Sequence, residues 1–140
     1  RMKILIATDG SDYSKAAIDE CCRIVIRPEN AEVLVVSAYE DAYPIIAEPF
    51  ALSAEYYQKL DDAVRELAAN FVGDAKTSVD VRLGDPKEAI ADEAARWNAD
   101  TIFVGPHCSP NSFERFLVGS VSAAVAARAH CSVEVVRRPA

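Results

Sequence analysis

Two short runs of the chain are apolar at every position, Ile4-Leu5-Ile6-Ala7 within residues 2–8 and Val33-Leu34-Val35-Val36 within 32–37, and Thr101-Ile102-Phe103-Val104 is nearly so. A strand can be apolar throughout only when both of its faces are buried, so these three read as central strands of a parallel sheet. Two other segments alternate. Val79, Val81 and Leu83 are interleaved with Ser78, Asp80 and Arg82, and Val133 and Val135 flank Glu134. Both are expected at the sheet's edges.

Between the strands the apolar period lengthens to that of a helix. Residues 14–26 place Ala17, Ile18, Cys21, Cys22 and Val25 on one stripe, and the segment from about residue 53 carries Tyr57, Leu60, Val64, Leu67 and Phe71 at steps of three and four. Asp85-Pro86-Lys87-Glu88 supplies a cap residue, a proline at the first helical position and a carboxylate three residues after the cap, followed by Ile90, Ala94 and Trp97 on one face. An alanine-rich segment over 120–129 gives a last helix whose small side chains let it lie close to a sheet.

Strand and helix thus alternate from end to end, which predicts a single α/β domain over residues 1–140. Its expected core is an open, parallel, five-stranded sheet covered by helices on both faces, with right-handed crossovers. The order 3-2-1-4-5 places the alternating strands at the edges, whereas 2-1-3-4-5 would leave the doubly apolar second strand there. The long connection over 39–52, with Pro44 and Pro49, is a candidate binding loop. Arg1, ahead of Met2, reads as a cloning remnant outside the fold.

Composition narrows the function. The chain has 140 residues, with 15 Lys plus Arg against 22 Asp plus Glu, a net charge of -7 that argues against a nucleic-acid backbone as partner. At 51% hydrophobic and 26% charged residues it has the content of a globular domain. With no apolar run near the roughly 18 residues of a membrane span and no signal-peptide pattern, the expected compartment is the cytoplasm, with no membrane partner. Cys21 and Cys22 sit in an apolar helical stripe and are expected to be reduced thiols. His107, Cys108, His130 and Cys131 have the chemistry of a zinc set, but the topology places the two pairs at opposite ends of the sheet.

In such a sheet ligands bind at the carboxyl ends of the strands where the order reverses, here between strands one and four. Those ends carry Asp9-Gly10-Ser11-Asp12 and Gly105-Pro106-His107-Cys108, and Gly119-Ser120-Val121-Ser122 opens the last helix nearby. Free amides and the dipole at that helix start can hold a phosphate, although Gly-Ser is also an ordinary cap. Each neighbouring residue has a plain alternative. Asp9 suits a ribose or a phosphate-bound ion, or a simple turn; Asp12 suits a cap. His107 is a possible donor to a ligand oxygen, Arg115 a possible phosphate partner or a solvated surface charge. Ser122 can reach a phosphate or stand as a first-turn serine.

Taken in order, Met-Lys-Ile-Leu-Ile-Ala-Thr-Asp-Gly-Ser at 2–11, Gly84-Asp85-Pro86, Val104-Gly105-Pro106-His107 and Gly119-Ser120-Val121-Ser122 resemble the universal stress protein family across nearly the whole chain. The resemblance implies a cytoplasmic, Rossmann-like α/β protein, usually a homodimer paired through its last strand, and in one branch an ATP binder, with magnesium as a possible companion ion. In that branch Asp9 and the main chain near Ala38 hold adenosine. Gly105 gives backbone room beside the ribose, with Val104 a further cofactor-binding position, Cys108 stands at the motif's second glycine, and Gly119, Ser120 and Val121 hold the phosphates.

The motif G-x-x-G-x9-G-[ST] is altered here in two places. Cys108 replaces the second glycine, and ten residues rather than nine precede Gly119. A nucleotide-free interaction module of the same family is therefore the alternative, and a slow ATPase a further one. Without a Walker lysine or a cluster of carboxylates, binding rather than catalysis is expected. A phosphorelay receiver shares the alternation, and Asp9, Asp12 and Asp85 partly match its acids. Arg137 and Arg138, however, stand where it needs a lysine.

Overall fold

In the structure, a computed structural model, the described residues are 2–8, 31–39, 58–59, 61–62, 65–66, 76–104 and 120–136. Strands β1 (Met2–Ala7), β2 (Ala31–Tyr39), β3 (Lys76–Leu83), β4 (Thr101–Val104) and β5 (Ser132–Val135) make one sheet of order β3-β2-β1-β4-β5. All four neighbouring pairs are parallel. The doubly apolar strands are central and the alternating ones form the edges, as expected.

Alternation sorts the central strands' side chains into two layers. Ile4, Ile6, Val33, Val35 and Phe103 form one buried cluster, joined from the edge by Val79 and Val81. Leu5, Ala7, Leu34, Val36, Ile102 and Val104 form the other. Each large side chain removed from water contributes about 1.5–3 kcal/mol, so the three central strands hold the domain together.

Helices α1 (Pro86–Trp97) and α2 (Ser120–Arg128) cover the second layer, to which they add Ile90, Ala94 and Val125. Both lie on one face because the crossovers β3 to β4 and β4 to β5 run the same way across the sheet with the same hand. Asp85 caps α1 by accepting from the Lys87 amide at 3.0 Å, with Pro86 at its first position. Asn98 closes α1 in the left-handed conformation, at φ 61°. Residues 58–59, 61–62 and 65–66 are helical as well, and the Gln58–Asp62 and Arg65–Asp61 pairs, both at 2.9 Å, are one turn apart. The helix expected over 14–26, the rest of the one from residue 53 and the 40–52 part of the long connection lie outside the described residues.

Two boundaries differ from the sequence pattern. Strand β2 runs on to Tyr39 because its ladder with β3 continues through Ala38 opposite Arg82 and Tyr39 opposite Leu83. The apolar run stops at Val36, but the backbone pairing does not. Leu83, expected in the apolar row with Val79 and Val81, is 60% exposed. It closes an edge strand and extends past the cluster that buries the other two.

Candidate functional site

The order of the sheet reverses at β1, so its crevice lies above Ala7 and Val104, which are in register. The backbone around this point is well paired. Thr8 N–H donates to the Val36 carbonyl at 3.0 Å and Val136 N–H to the Val104 carbonyl at 2.9 Å, each extending a parallel ladder. Val104 itself is buried, so it builds the floor of the crevice.

Ser120 begins α2 and is exposed, and Val121 is half-buried against the helical-face cluster. Amides in the first turn of a helix have no intrahelical partner, and α2 has no acidic residue there to compete for them. Ser122, one residue further, is 1% exposed, and its hydroxyl has no hydrogen-bond partner. A first-turn serine facing water explains itself. A buried one without a partner costs about 1–3 kcal/mol, so its retention calls for a reason.

A second such hydroxyl belongs to Ser37, fully buried near the carboxyl end of β2. Sequence reasoning passed over it as the end of an apolar run. The signal was there in a lone hydroxyl following four apolar residues. Next to it, Ala38 is half-buried and stands in register with Arg82 of β3.

Arg82 centres a charged network on the helical face. Its Nε is 3.0 Å from Asp80 Oδ2 and its Nη2 is 2.7 Å from Glu93 Oε2, while Nη2 also bonds Asp80. Arg96 bonds the same Glu93 oxygen. Burial works against the Arg82 charge, but the hydrogen bonds and charges of Asp80 and Glu93 outweigh it and hold the guanidinium above its ordinary pKa.

The model of the universal stress protein family matches residues 1–137. The chain belongs to the universal stress protein family. A Staphylococcus epidermidis protein that carries the family name is 33% identical over 142 residues, covering 96% of this chain and 82% of that one. Among solved structures, the universal stress protein UspA from Lactobacillus plantarum is 27% identical, with a TM-score of 0.71 over 97% of each chain. A universal stress protein in complex with cAMP is 26% identical, with a TM-score of 0.63 over 97% of this chain and 96% of that one.

In this universal stress protein Ala38 and Val104 stand at the carboxyl ends of β2 and β4 and Ser120 and Val121 at the start of α2, with Ser37 and Ser122 the buried residues next to them in the chain. Asp9, Gly105, Cys108 and Gly119 lie outside the described residues, as do Asp12, His107 and Arg115. His130 and Cys131 precede β5 at the opposite, amino end. There burial, assisted by the charge of Asp100, pushes the Cys131 thiol pKa up. Among the described residues no three His, Cys, Asp or Glu side chains are grouped to hold a metal, and no helix is long and apolar enough to cross a membrane. An open groove of about 430 Å³ lies between α1 and α2, where Glu88 and Arg128 face each other at 3.8 Å. None of its lining residues belongs to a strand end.

Proposed function

We propose that this universal stress protein binds an adenine nucleotide, ATP in the leading case, at the carboxyl end of its sheet and acts through conformation or partner binding. The observation that carries this reading is the buried, unpartnered hydroxyl of Ser122 in the first turn of α2, where amides have no intrahelical partner. A phosphate oxygen placed there accepts from both kinds of donor and removes the cost of the orphan. The similar universal stress protein solved with cAMP supports an adenine nucleotide as the occupant. The main chain at Ala38 then faces adenosine and Ser120, Val121 and Ser122 face phosphate. Hydroxyl and amide donors hold an anion but take no proton from water, which suits binding rather than turnover.

The same reading includes a homodimer through β5. The valines at its end are half-buried in the single chain, and Val133 and Val136 pack onto the two core clusters. What supports pairing is the position of β5 at the border of the sheet, where backbone groups can meet those of a second copy.

The test is to denature the purified protein, separate the small molecules it releases, and titrate the stripped protein with ATP by calorimetry. Stoichiometric adenine nucleotide or saturable ATP binding is expected, from a species that sediments as a dimer. A folded protein that is empty and ignores millimolar ATP would replace this reading with the nucleotide-free interaction module. A monomer at micromolar concentration would remove the dimer.

A further inference from the structure

We infer that the Arg82–Glu93 ion pair positions the adenosine end of the crevice by clamping the carboxyl end of β3, and with it the neighbouring main chain at Ala38, onto α1. The inference rests on the reading of Ala38 as an adenosine contact. It adds a role for two side chains that touch no ligand in that reading.

Strand β3 is an edge strand, and at its carboxyl end apolar burial gives out. Leu83 is 60% exposed, and Val81 packs into the layer opposite α1. The side chain that reaches α1 here is Arg82, which Asp80 holds from its own strand, so charge takes over the joining at this corner. Two guanidiniums, Arg82 and Arg96, balance two carboxylates, Asp80 and Glu93. That balance is what allows the Glu93 side chain to be only 7% exposed.

The geometry is directional. A guanidinium bonded through both Nε and Nη2 has its plane fixed, which a lysine ammonium cannot reproduce. Ile90 and Ala94, near Glu93 on α1, lie in one cluster with Leu34 and Val36 of β2. The pair therefore closes a triangle of β2, β3 and α1 next to Ala38, which is in register with Arg82. Without Arg82, buried Glu93 keeps Arg96, a side chain that is 70% exposed, and the corner of β3 loses its tie to the helix.

The test is calorimetric titration of the wild type, R82M, R82K and E93Q with ATP, with adenosine and with tripolyphosphate. R82M is expected to weaken ATP and adenosine by about tenfold, the scale of coupling within one network, and to leave tripolyphosphate unchanged. E93Q should move the same two ligands in the same direction by less, and R82K, which keeps charge but not the fork, should not restore full affinity. Wild-type affinity for ATP in R82M, or equal losses for adenosine and tripolyphosphate, would overturn the positioning role. A wild type that binds none of the three would instead overturn the nucleotide reading beneath it. If R82M does not fold, E93Q carries the comparison, because it keeps the shape of Glu93.

Discussion

The two ends of the sheet treat their polar groups in opposite ways. At the amino end the groups close on one another: Lys3 N–H donates to Asp100 Oδ2 at 2.7 Å and Asp100 N–H to the Lys3 carbonyl at 2.8 Å. The Lys3 ammonium reaches the Trp97 carbonyl at 3.2 Å and lies 5.4 Å from the centre of its ring. At the carboxyl end Ser37 and Ser122 are buried with hydroxyls that have no partner. One end spends its polar groups on stability. The other holds two of them unsatisfied, at a free-energy cost that a ligand can offset.

That separation can be broken most strongly at Trp97. Replacing it with alanine should cost roughly 2 kcal/mol of stability in denaturant unfolding, about half the cost at a fully buried site, because the ring is half-buried. ATP affinity should stay put; a loss of affinity would mean that the two ends are coupled. Next in size is Ser122→Ala, expected to raise the ATP Kd about tenfold while leaving the free protein as stable as before, or up to about 1 kcal/mol more stable. Lower stability with unchanged affinity would return Ser122 to an ordinary helix residue.

The smallest effect belongs to Cys131, again at the amino end. Burial and then the charge of Asp100 raise its thiol pKa above the ordinary 9.0, so the folded state holds that proton more tightly than the unfolded chain. The resulting stabilisation is complete below pH 9.0 and is lost as pH rises through the folded value. Cys131→Ala should therefore flatten the alkaline decline of stability measured by unfolding at a series of pH values. An equally steep decline in the variant would assign it to other groups.

How much of this was legible beforehand follows from the range of each interaction. The runs at Ile4, Val33 and Ile102 and the alternation at Val79 and Val133 carry the strand order, because burial on two faces or one is written into every residue of a strand. The cap at Asp85 was legible because capping acts over three residues. The start of α2 at Ser120 followed from the same local grammar. Leu83 defeated it because alternation shows which side a residue faces and not whether the core extends that far.

The sequence by itself determined the fold class, the sheet order, the start of α1 and the family, since these depend on periodicity and ordered local motifs. Tertiary structure alone decided that the hydroxyls of Ser37 and Ser122 are orphans, and that Arg82, Glu93, Asp80 and Arg96 form one network beside Ala38. Whether a polar group finds a partner depends on atoms brought together from separate elements. Arg82 and Glu93 are eleven residues apart in the chain, and only the packing of β3 against α1 brings their charges within 2.7 Å.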